Sequence, residues 1–278
     1  MTLPVFRTAK QAYAALWRHK ASLLRFALLP SLLAFAACLA SERALVSFPD
    51  MTEIGSLGEL LSDLALVPLV VQAYRLFLLG PGDRSYRSWY WLGSGYFGVL
   101  VLTVAFWFLM QAPGYAVGED VYQDVADLLI GEARPERFAA VAIFLVGILL
   151  YVLLSIRFAL LYPSLSLGES LDLAARWRET SGYFWRLFMA STLVVLPLLV
   201  VIFVAGAASV VAVAEPAFGE SPDTLSEPAA FSLVESILFS ATMTLALAAA
   251  YAAAAAVFAV AYVRLTGFPA QGLEAEPA

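Results

Sequence analysis

The chain has 278 residues, 62% of them hydrophobic and only 14% charged, with a mean hydropathy of +0.84. A soluble domain is about 45–50% apolar and about 25% charged, so this composition excludes water as the principal solvent and requires lipid. The net charge of -6 does not suggest nucleic acid, and a single Cys38 and a single His19 exclude a disulfide framework and a His/Cys metal site.

The chain opens on an amphipathic pattern. Apolar Val5, Phe6, Ala9, Ala12, Tyr13, Leu16 and Trp17 alternate at helical spacing with Arg7, Lys10, Gln11, Ala14 and Arg18. This predicts a short helix lying in the membrane interface, with cations facing anionic lipid at about 1 kcal/mol each. The first apolar run, Leu23 to Ala40, is long enough to span. Cys38 within it is a small buried hydrophobe. A lipoprotein-type processing site at Ala36-Ala37-Cys38 fits less well, because Phe35 and the long basic lead are atypical, so the span is kept uncleaved.

Five more spans follow, at Leu60 to Leu79, Gly95 to Ala112, Ala139 to Leu161, Leu187 to Ala214 and Phe231 to Val263. The expected fold is therefore an all-α, polytopic bundle of about six transmembrane helices in one integral membrane domain. Pro68 and Pro197 fall inside spans and mark kinks, since neighbouring groups can satisfy the carbonyl a proline frees. The last two runs are long enough to tilt or to extend past the hydrocarbon. Between the third and fourth spans, Asp120, Asp124 and Asp127 would share a helix face beside Val121, Val125 and Leu128. A solvated helix face explains this, whereas a calcium loop needs glycine punctuation that the segment from Glu119 to Glu136 lacks.

Thirteen of the sixteen Lys and Arg residues fall on one side of this six-span scheme, and only Arg43, Arg134 and Arg137 on the other. The positive-inside rule makes the first side cytoplasmic, with both termini inside, and a bacterial inner membrane is the expected location. Carboxylates such as Glu42, Asp50, Asp63, Glu215 and Glu235 lie on the opposite side.

An internal repeat underlies the spans. Arg75 is followed by Pro81 and by Ser94-Gly95-Tyr96-Phe97, and Arg157 by Pro163 and by Ser181-Gly182-Tyr183-Phe184. The last span ends in Tyr262-Val263-Arg264 with Pro269 beyond, and Ala14 to Arg18 echoes Ala174 to Arg178. The unit is a short Trp/Arg helix, an outward span, an acidic loop and a returning span ending in Arg, and three units make the protein. Arg75, Arg157, Arg186 and Arg264 are the candidate interfacial anchors, their heads at the level of lipid phosphate. Trp177 and Trp185, with Trp17, Trp89 and Trp91, are belt residues or, alternatively, ligand-stacking ones. Gly95 and Gly182 supply a left-handed residue before each span, or are tight packing points.

The stretch from Ile156 to Arg186 carries an Arg-Pro pair at a span end, an acidic residue and a Thr-x-Gly-x-x-Trp-Arg signature, on Arg157, Pro163, Glu169, Thr180, Gly182, Trp185 and Arg186. It resembles the membrane domain attached to some bacterial glycerophosphodiester phosphodiesterases, and related stand-alone six-span inner-membrane proteins. In that family Ser often precedes the first Trp, where this chain has Arg176. The resemblance implies membrane residence without the phosphodiesterase chemistry, whose soluble barrel this sequence does not contain.

No ionisable residue occupies the centre of a predicted span; Asp63, Arg75, Arg157 and Glu235 fall near the ends, in solvated or snorkelling positions. That disfavours a proton- or sodium-coupled transporter. The polar residues inside, among them Gln72, Thr103, Tyr151, Ser155, Ser191, Thr192, Ser240, Thr242 and Thr244, are expected to bond between helices. With no elbow serine, dyad or metal set, the expectation is a non-enzymatic protein without cofactor, with membrane lipids as its partners. A lipid-associated scaffold comes first, and a channel or carrier for a neutral or lipidic substrate is the alternative.

Overall fold

The computed structural model describes residues 3–48, 53–81, 94–117, 138–214 and 233–273. Among them the elements are helices: α1 (Val5–Ser47), α2 (Glu53–Leu79), α3 (Ser94–Val117), α4 (Phe138–Arg157), α5 (Leu161–Ser166), α6 (Leu173–Thr180), α7 (Phe184–Ala214) and α8 (Leu233–Thr266). Six of these, α1 to α4, α7 and α8, are long and apolar enough to cross a membrane, so the chain is an all-α polytopic bundle. Arg84, Arg87, Trp89, Trp91, the acidic segment from Glu119 to Glu136, Glu215 and the side chain of Glu235 lie outside the described residues.

Helices α1 and α3 run on to Ser47 and Val117, past Ala40 and Ala112, and three further boundary differences bear on packing. No separate interfacial helix precedes the first span: α1 runs unbroken for 43 residues, about 65 Å at 1.5 Å per residue. Between Lys20 and Leu23 stand only Ala21 and Ser22, neither of which stops a helix, so the amphipathic segment and the apolar run join. Helix α2 begins at Glu53 rather than Leu60, adding nearly two turns before the apolar run. The fourth span ends at Arg157 instead of Leu161, and a turn leads into α5, where Pro163 occupies the first turn and its missing N–H is not needed.

Helices α2 and α8 are the most enclosed spans. Helix α8 carries Ala253, Ala255, Ala256, Ala259 and Ala261 into the core, against Leu76 and Phe77 of α2 and Leu187 and Ala190 of α7. Small side chains let helix backbones approach closely in lipid, where apolar burial gives little drive of its own. Glycines do the same at single points. A Cβ on Gly58 would meet Ser41, one on Gly147 would meet the Pro113 ring, and one on Gly206 would meet Thr242. The two repeat glycines serve different ends. Gly95 faces the carbonyl of Leu165 as a packing point, whereas Gly182, at φ +81° between α6 and α7, holds the left-handed conformation that an L side chain resists.

Leucines 24, 28, 29, 32 and 33 of α1, and Val146 and Leu149 of α4, are half or more exposed. Such continuous apolar faces suit a lipid surround. The N-terminal part of α1 is instead tied inward, with Ala9, Ala12 and Ala15 buried. Tyr13 OH donates to the Leu193 carbonyl at 2.9 Å, which is the carbonyl that Pro197 leaves without its helical donor. Gln11 Oε1 accepts from Arg264 at 2.7 Å, and His19 Nε2 lies 3.1 Å from the carbonyl oxygen of Gly272.

Candidate functional site: an intramembrane cavity and a clamp at the basic end

The predicted anchor residues gather at the end of the bundle where α2, α4 and α8 finish. Arg75 Nε donates to the Ser166 carbonyl at 2.7 Å, fastening α2 to the end of α5. The Arg157 guanidinium stacks 5.0 Å from the Trp177 ring, and its Nε and Nη1 are buried with no hydrogen-bond partner among the described residues. Arg264 bonds Gln11, whereas Arg186 and Trp185 are exposed, Trp185 at 70%. Trp17 is 73% exposed, with the Lys20 ammonium 3.5 Å from its ring.

The signature residues between α4 and α7 form a clamp. Thr180 Oγ1 lies 2.9 Å from the Arg157 carbonyl and donates to it or to its own helix. Asp172 caps α6 by accepting from the Ala175 amide at 2.9 Å. The Glu169 carboxylate accepts from Tyr262 OH at 2.8 and 2.9 Å and from Arg176 Nη2 at 2.9 Å, while Arg176 Nη1 reaches Glu179 at 2.7 Å. The connection is thereby pinned to the end of α8 through charge-assisted bonds.

A second site lies within the bundle. A cavity of about 450 Å³ opens between α2, α3, α4, α5, α7 and α8. Asp63 reaches it from α2, where it stands ten residues past the helix start, about 15 Å along the axis. Tyr251, halfway along α8, donates its hydroxyl to Asp63 Oδ1 at 2.8 Å. The expectation that Asp63 snorkels at a span end is therefore corrected: the extra turns of α2 carry it inside, against the middle of another span.

Three of the intramembrane hydroxyls also bond within their own helices. Thr103 donates to Val99 at 2.9 Å, and Ser191 and Thr192 to Phe188 at 2.8 and 2.9 Å, each within its own helix. Their donors are thus spent locally and their lone pairs remain as acceptors at the cavity wall. Ser155 Oγ and Trp107 Nε1 are buried there with no partner among the described residues. Phe106 forms the aromatic wall with Tyr162, stacked at 6.3 Å, and with Tyr151, edge-on at 6.4 Å. The site thus offers acceptors, two unsatisfied donors and aromatic faces around one carboxylate.

Sequence reasoning named Thr103, Tyr151, Ser155, Ser191 and Thr192 but missed their convergence, and it missed Tyr251. The available signal was that Tyr251 is the one polar side chain in an alanine run from Ala248 to Ala256. No protein-family model, curated protein or solved structure matches the chain.

Proposed function

We propose that this integral membrane protein is lipid-associated and takes an amphiphilic guest into the intramembrane cavity, acting as a carrier or binding protein rather than as a scaffold alone. The observation that carries this is the cavity itself: six helices bring polar groups to one apolar, aromatic-lined space of ligand size. Unsatisfied Trp107 and Ser155 are costly in hydrocarbon unless something bonds them. The role is non-catalytic in this reading: among the described residues the lining holds neither His nor Cys. The basic end faces the cytoplasm of a bacterial inner membrane, with Arg186 and Trp185 meeting lipid headgroups.

The test is bound guest. Protein purified in nanodiscs should release about one amphiphile per chain on native mass spectrometry. Ala254→Phe, which fills the cavity from α8, should abolish that signal while leaving the fold intact. An Ala254→Phe protein that keeps the same guest would refute the cavity as its site. A wild-type protein found empty would return the scaffold reading.

A further inference from the structure

Charge at the cavity is one-sided. Asp63 is its only lining residue of the Asp, Glu, Lys, Arg and His types among the described residues. Its hydrogen-bond partner among the described residues, the Tyr251 hydroxyl, is neutral and cannot cancel the charge. One turn earlier on the same face of α2 stands a second carboxylate, Glu59, which accepts from Gln111 Nε2 at 3.0 Å. A negative charge brought into a span is expensive and is retained where a cation meets it.

The walls narrow the kind of cation. Seven of the twenty lining residues are aromatic, against 13% in the whole chain. Aromatic faces carry the negative part of the ring quadrupole and attract a nearby positive charge, most strongly where water is absent. A bare inorganic cation would use the wall's oxygens alone and gain little from its aromatic faces, whereas an organic ammonium engages both.

Resting on the cavity reading above, we propose that its guest is an organic ammonium ion, held between the Asp63 carboxylate and the Phe106, Tyr151 and Tyr162 rings. The apolar body of the guest lies along Val195, Leu199 and Phe258, and an acceptor atom on it satisfies the Trp107 indole N–H.

The probes are benzyltrimethylammonium, its neutral isostere neopentylbenzene, and anionic phenylmethanesulfonate. Binding of tritiated benzyltrimethylammonium is measured on full-length protein in nanodiscs of zwitterionic lipid, with protein-free discs as blank, and the other two probes are used as competitors. Saturable binding is expected, with both competitors about thirtyfold weaker or more, the size of one desolvated cation–ring contact. Asp63→Asn should lose about tenfold or more in affinity for the cation and leave neopentylbenzene unaffected, and Asp63→Glu should retain the preference. If Asp63→Asn fails to fold, the wild-type ranking of cation over isostere decides the question.

Equal competition by neopentylbenzene would overturn the ammonium assignment and leave the cavity reading standing. Absence of saturable cation binding would also overturn it. Whether the cavity holds any guest is then decided separately, by mass spectrometry of wild type against Ala254→Phe.

Discussion

Tyr13 and Pro197 are 184 positions apart in sequence, yet the bond between Tyr13 and the Leu193 carbonyl makes them one device. Pro197 cannot donate to Leu193, and the Tyr13 hydroxyl does so instead at 2.9 Å, with the Val194 carbonyl 3.3 Å away. Tyr13→Phe removes only the hydroxyl. Interhelical hydrogen bonds in lipid average about 0.6 kcal/mol and reach about 1.7. A carbonyl left unsatisfied adds to the loss, so a cost of about 1–2 kcal/mol is expected. Pro197→Ala restores a backbone N–H that bonds Leu193 within α7. In that background Tyr13→Phe should cost close to nothing, giving a coupling energy of about 1–2 kcal/mol. Reversible unfolding in bicelles, followed for the wild type, both single variants and the double variant, measures this directly. Equal costs of Tyr13→Phe in the two backgrounds would refute the substitution of one donor for the other.

Two further outcomes are expected. If Arg157 anchors the end of α4 by charge and stem length, Lys should preserve thermal stability in anionic membranes while Leu lowers it by about 1 kcal/mol. Lys behaving like Leu would instead indicate a guanidinium-specific contact, such as a bidentate anion. Reporter fusions after Arg84, Glu169 and Ala278 should read cytoplasmic, and those after Asp50, Glu132 and Asp223 external; one reversed pair would break the six-span orientation.

The spans were legible because hydrocarbon thickness sets a length that apolar runs such as Leu187 to Ala214 must meet, whatever they pack against. Their ends were not, since helix termini follow breakers and caps rather than hydropathy. Lys20 to Leu23 holds no breaker, so α1 absorbs the amphipathic segment, whereas the apolar run ending at Leu161 hides a turn after Arg157. Asp63 reads as a span-end residue for the same reason: the apolar run begins at Leu60, whereas the helix begins at Glu53. The cavity lay beyond sequence reading because Thr103, Tyr151 and Ser191 belong to three helices, and nothing in their spacing says those helices meet. Glu169 stood out through its motif, but its bond to Tyr262 joins residues 93 positions apart.

The seating of α1 sets an order of events during synthesis. Its N-terminal turns meet α7 through Leu193 and α8 through Arg264, and Gln11 and Arg264 are 253 positions apart. At translation rates of about 5–20 residues per second, the first helix waits on the order of tens of seconds before its last neighbour exists. Throughout that interval the face bearing Ala9, Ala12 and Ala15, buried in the finished fold, lacks the part of its cover that α8 supplies. A chain truncated before α8 would keep the Tyr13–Leu193 bond to α7 but lack the Gln11–Arg264 tie, leaving the start of its first helix only partly seated.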